Sequence, residues 1–320
     1  MPLIKKIGNK LATSTPARQV IQKSKETSLP GFRGIPIFDV VNFFIQQVKT
    51  IGMTERASAI SFNFVMAIPP AIIFLFTLIP YLPITQKFQI ELFGLIKDVI
   101  PGEKDHETLI GFLKDFINKP RNELLSMGFV LSMYFSSNAM MGIMRSFDKN
   151  YIGFKKRKGL HMRWVALKIT IILYVLVFAS ILLLIARGAV LEYLGVENET
   201  VLTIIRNARW LVIIMLFFAS ISYIYRHAPA VHKKWPLINP GSILATVLML
   251  AMLLLFSWWV ARFGNYNQLY GSIGTVLILM ILIFINLLIG FELNVSITSL
   301  KKLLMNGQKI LQLVTYNHTH

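Results

Sequence analysis

Glu292 is the residue that first calls for a chemical explanation. It stands in "SIGTVLILMILIFINLLIGFEL", residues 272–293, where every other position is uncharged. A carboxylate in such a setting needs a cation, a proton or a water path, because an isolated charge in hydrocarbon is costly. Arg56, Arg145 and Arg226 are the cations that flank apolar runs on the same side of the chain's alternating pattern, so they form a candidate ion-pair cluster with Glu292. Three amides are similarly out of place: Asn63, Asn138 and Asn286 each lie within an apolar stretch. With Glu292 they could line a polar path or contact a ligand. Asn286 is nearly two turns deeper than Glu292 and about 120° away around a helix. Arg56 and Asn63 are seven apart, hence on one helical face.

Other chemistry finds little support. The chain has no cysteine, which excludes disulfides, Cys-ligated zinc, iron–sulfur clusters and thiol catalysis. G-x-S-x-G, P-loop and H-E-x-x-H patterns are missing. His227 and His232 are five apart, not the four that aligns two ligands on a helix. No catalytic residue, metal site or cofactor is expected.

The elements that must position these residues follow from hydropathy. The 320 residues are 55% hydrophobic and 15% charged, with mean hydropathy +0.60. Soluble domains carry about 25% charged residues, so the composition points to a membrane protein. Six stretches are long enough for the ~30 Å hydrocarbon core, which takes about 20 helical residues: 59–82, 123–144, 164–186, 208–225, 241–261 and 272–293. Hydrogen-bond satisfaction in lipid makes them helices. The expected fold is all-α and polytopic, with a basic tail at 1–36, a six-helix membrane domain at 37–300 and a second tail at 301–320.

The net charge of +18 could suggest nucleic acid, but its distribution follows topology. Alternate loops sum to 22 basic residues on one side and 10 on the other, with Lys168 inside a helix. The positive-inside rule makes the first side cytoplasmic. Both termini then lie inside, and nucleic acid is not an expected partner. "KKRK" at 155–158 reads as a cytoplasmic anchor, and Lys168 can snorkel to the same interface. Trp164 falls at the inner boundary; Trp210, Trp258 and Trp259 fall at the outer one. The first twenty residues lack the apolar core of a removable signal, so the first span is expected to direct insertion. "FDVVNFFIQQV", 38–48, reads as an amphipathic helix in the cytoplasmic interface. The outer loop 84–121 reads as two more such helices.

Pro69 and Pro70 remove two backbone donors and should kink or break the first span. Gly128, Ser132, Ser136, Ala139 and Gly142 form a small-residue face suited to close helix packing. "NYNQLYGSIG", 265–274, separates the last two runs. It reads as a polar turn anchored by Tyr266 and Tyr270, or as a mobile hinge in which Gly271 and Gly274 loosen a helix start whose amides meet an anionic group.

"NPGSILATVLM", "NYNQLYGSIGTVLILM" and "GFELN" together resemble the YihY/virulence factor BrkB family of bacterial inner-membrane proteins. "ERASAISFNFVMAIPPAIIFLFTLIPYLP", "YFSSNAMMGIMRSFDKNY" and "YRHAP" are similar to its first, second and fourth helices. The resemblance covers roughly 40–300. It departs from the family at the double proline, where one is commoner, and at Asn63, where an aromatic is often found. It implies six spans, cytoplasmic termini, the bacterial inner (plasma) membrane and no settled activity. Some members carried a ribonuclease BN label regarded as misassigned; others are tied to serum resistance, envelope integrity or lipid handling. The expected function is binding or moving a lipid or lipid-linked envelope precursor, with membrane lipids as partners. The alternatives are a scaffold recruiting envelope proteins through the outer loop and, last, a ribonuclease.

Overall fold

Apolar sequence that must satisfy its own backbone hydrogen bonds folds as helix. The computed structural model describes residues 15–81, 110–111, 114–115, 122–148, 157, 159–193, 199–231, 233–262 and 266–318. Its elements are α1 (Thr15–Glu26), α2 (Ile37–Thr50), α3 (Met53–Leu78) with a 3-10 turn at Ile79–Tyr81, α4 (Asn122–Phe147), α5 (Gly159–Tyr193), α6 (Glu199–His227), α7 (Pro240–Arg262) and α8 (Tyr266–His318). Five of them, α3, α4, α5, α7 and α8, are long and apolar enough to cross a membrane among the described residues. In α6 the corresponding apolar stretch is shorter, Leu211–His227. The expected outer-loop helices fall on 84–121, almost wholly outside the described residues.

Helix α3 settles one of the alternatives left open at its prolines, and α8 differs from the sequence reading at both ends. Helix α3 runs through Pro69 and Pro70 without breaking. A proline removes its own donor, but the turns on either side keep theirs, and α4 packs along this helix. Helix α8 already begins at Tyr266, so Tyr266, Tyr270, Gly271 and Gly274 form its opening turns rather than a separate turn. The same helix continues through the expected tail to His318. Its Leu293, Ile297 and Leu300 recur at helical spacing, and they pack against Phe32, Ile35, Val40 and Phe44 of α2 and the turn before it. That contact carries the helix past the expected end of its span at 293 and draws α2 onto the bundle, whereas Leu303, Leu304 and Met305 beyond it are exposed. Val41 and Ile45 of α2 stay exposed.

The long helices contact one another in a closed circuit. In order, α3 packs on α4, α4 on α5, α5 on α6, α6 on α7, α7 on α8, and α8 returns to α3. All six contribute to one apolar core, which includes Ile60, Met144, Ile169, Tyr225, Ala245 and Phe291. This core sits toward the end of the bundle where α3, α5 and α7 begin and α4 and α6 finish. The same end carries Arg56, Arg145, Arg226 and Glu292.

Candidate functional site

Glu292 is fully buried, and Arg56 is 8% exposed. Arg56 Nη1 donates to Glu292 Oε1 at 2.8 Å. The other guanidinium nitrogen, Nη2, donates to the Ser146 carbonyl at the end of α4. One side chain thus ties α3, α4 and α8 together, at positions 236 residues apart in sequence for the ion pair. Arg56 Nε is buried with no hydrogen-bond partner among the described residues. Of the three arginines expected around Glu292, Arg56 makes the pair. Arg145 is exposed, and Arg226 is half-buried at the end of α6.

The surroundings of this pair are tightly locked. Phe291 stacks on Phe147 at 3.8 Å between ring centres, with planes 8° apart. Tyr225 Oη donates to the Leu287 carbonyl at 2.5 Å. Gly241 of α7 faces Gly290 of α8 so closely that a Cβ on Gly241 would lie 2.1 Å from the Gly290 carbonyl oxygen. No residue but glycine permits that approach. The start of α7 is closed by a reciprocal cap: Ser242 N donates to Asn239 Oδ1 at 2.8 Å, and Asn239 N to Ser242 Oγ at 3.3 Å. Asn294 crosses from α8, accepting from Gly241 N at 2.9 Å and donating to Asn239 Oδ1 at 2.6 Å. Donors left open at a helix start are satisfied in this way.

Arg157 performs the complementary task at the end of α6. Its guanidinium donates to the carbonyls of His227, Ala228 and Pro229 at 3.3, 2.7 and 3.2 Å. Burial lowers its pKa, and the nearby Asp148 carboxylate works in the opposite direction. One member of the "KKRK" run is therefore a helix cap, not only a charge on a loop.

Beside the ion pair, α3 and α4 part to leave a cleft of about 320 Å³. Arg56 stands against it with Asn63, Arg145, Glu55 and Ser146. The helices are close further along, where a Cβ on Gly128 would lie 3.3 Å from the Phe74 backbone. At the cleft a Cβ on Gly142 would come no nearer than 3.5 Å to Asn63. Asn63 Nδ2 donates to Ala59 O at 2.8 Å, an in-helix bond that leaves its second amide hydrogen for another acceptor.

The four residues of the expected polar path are thus distributed. Asn63 lines the cleft, and Glu292 lies behind Arg56. Asn138 accepts from Arg163 across α4 and α5, with that guanidinium 4.5 Å over the Tyr134 ring. Asn286 is buried in α8, and its Nδ2 has no hydrogen-bond partner among the described residues. Neither Asn138 nor Asn286 lines the cleft. Ser132 and Ser136, read as packing positions, also bond Tyr174 of α5 at 2.5 and 2.8 Å. Sequence reasoning missed Asn239, Asn294, Tyr225 and Glu55. Asn294, two residues beyond Glu292, and the N-x-x-S spacing of Asn239 and Ser242 were the available signals.

Residues 44–308 match the protein family Virulence factor BrkB. The chain is 26% identical over 263 residues to YfkH of Bacillus subtilis (strain 168), a protein whose name describes it as ribonuclease-like; the match covers 78% of this chain and 91% of the relative. It is 23% identical over 257 residues to a UPF0761 membrane protein of Tolumonas auensis, covering 77% and 80% respectively. No solved structure matches.

Proposed function

This chain belongs to the virulence factor BrkB family of membrane proteins, and on that premise we propose that it binds a lipid or lipid-linked envelope precursor and moves it between leaflets. The observation that carries this reading is the cleft between α3 and α4. It places polar and charged side chains next to membrane-facing helix surface, where Phe62 and Met66 of α3 are 59% and 47% exposed. A polar pocket beside an apolar wall matches the two halves of an amphiphile. The basic balance of the loops at this end supports a cytoplasmic-leaflet location with both termini inside, in the plasma membrane of a bacterium.

Purified protein in liposomes should accelerate transbilayer exchange of labelled phospholipid, and Arg145→Gln should slow it with the melting temperature unchanged. Exchange no faster than in protein-free liposomes, across phospholipid classes, would remove this reading. Recovery of a defined envelope protein with the same inactive preparation would then favour a scaffold. The ribonuclease-like name of the Bacillus relative motivates one control. RNA cleavage by the same purified protein, abolished by a point substitution, would replace transport with catalysis.

A further inference from the structure

The charges around the cleft specify more than "amphiphile". Arg56 is already held by Glu292 and the Ser146 carbonyl. That pair forms a back wall of zero net charge, and moving Arg56 toward a ligand would strand a buried carboxylate. The charges left at the mouth are Arg145 of α4 and Glu55 of α3, both exposed. Neither makes an ion pair among the described residues, including with each other. The mouth therefore offers one cation and one anion on opposite helices, with Asn63 between them and the apolar wall.

We propose that the cleft takes a zwitterionic phosphodiester headgroup bearing a primary amine, with the phosphate on Arg145 and the ammonium on Glu55. A purely anionic headgroup would satisfy Arg145 and be repelled by Glu55. A quaternary ammonium has no N–H for a carboxylate and is usually held by an aromatic cage, whereas the described residues lining this cleft include no aromatic ring. A primary ammonium offers three donors to Glu55 Oε atoms, and a guanidinium fits a phosphate with two parallel hydrogen bonds. Asn63, with its second amide hydrogen, can reach the ester oxygens. This assignment rests on the lipid-binding reading of the same cleft.

The test uses the full chain in nanodiscs containing equal parts of phosphatidylethanolamine, phosphatidylcholine and phosphatidylglycerol, with retained lipid read by native mass spectrometry. Wild-type protein should retain phosphatidylethanolamine about tenfold over the other two, the value of one charge-assisted hydrogen bond. Glu55→Gln should bring phosphatidylethanolamine down to near equality with phosphatidylcholine, and Glu55→Asp should keep the preference. Arg145→Gln should reduce all three lipids. Preference for phosphatidylglycerol, or a phosphatidylethanolamine preference that survives Glu55→Gln, would overturn the headgroup assignment and leave lipid binding standing. Soluble phosphoethanolamine binding as tightly as the lipid would overturn the membrane source. Retention of no lipid, with no exchange in liposomes, would overturn the lipid reading itself.

Discussion

At the scale of single residues, the buried Arg56–Glu292 pair separates structure from ligand chemistry. Glu292 attracts a functional reading because a carboxylate is rare in an apolar helix, yet it is wholly enclosed and held by a guanidinium. Its first role is to fix α8 against α3. Glu292→Gln should therefore destabilise the protein by about 3–5 kcal/mol, because it leaves the Arg56 charge buried without its counter-ion. Replacing both, as Arg56→Met with Glu292→Leu, removes the charges together and should recover most of that loss. Thermal unfolding of the detergent-solubilised variants measures both values. A Glu292→Gln protein as stable as wild type would mean that the pair contributes nothing to packing. The pairing itself could not be read from sequence. Arg56, Arg145 and Arg226 are equivalent by type and by side of the membrane, and only the fold decides which one meets position 292.

At the scale of helices, the segments that carry the family resemblance converge on one contact. Phe147 comes from "SFDKNY", Tyr225 from "YRHAP", Gly241 from "NPGS", and Gly290, Phe291 and Asn294 from the region of "GFELN". In the structure they stack, cap and interlock at one end of the bundle. These fragments read as separate motifs because each is local, while the contact they make is not. Gly290→Ala places a methyl carbon 2.4 Å from the Gly241 carbonyl oxygen, and backbone cannot step aside as a side chain would. Overpacking costs about 1–3 kcal/mol when side chains can yield, so this substitution should reach at least that range and lower folded yield. Gly142→Ala, where the nearest atom is 3.5 Å away, should fold normally. Monodisperse yield by gel filtration distinguishes the two. Span positions were legible because apolar length is a sum along the chain. The reach of α8 was not, because its polar start and basic finish look like a turn and a tail. The Leu293, Ile297 and Leu300 stripe was the signal that the helix runs past 293 to 300, since it needs α2 and the preceding turn to cover it.

At the scale of the whole molecule, the closed circuit of α3 to α8 and the charge balance of the loops constrain each other. Each long helix begins at the end where its predecessor finishes, so the starts of α3, α5 and α7 and the ends of α4 and α6 lie at the end that holds the ion pair and the cleft. By sequence, these helix ends fall on the side that carries the 22 basic residues. Phospholipid in the cytoplasmic leaflet is anionic on average and attracts such a surface by about 1 kcal/mol per Lys or Arg near it. On the cytoplasmic orientation proposed above, the loop charge orients the bundle, and the proposed headgroup selectivity of the cleft falls to Arg145 and Glu55. Because the chain contains no cysteine, a single introduced thiol reports position without background. Lys23→Cys on α1 should react with a membrane-impermeant maleimide only after the membrane is permeabilised, whereas Lys104→Cys in the segment between α3 and α4 should react in intact spheroplasts. The reverse pattern would turn the molecule over and place the cleft in the outer leaflet. Labelling of both sites in intact spheroplasts would put α1 and the α3–α4 segment on the same side, which a single crossing by α3 forbids.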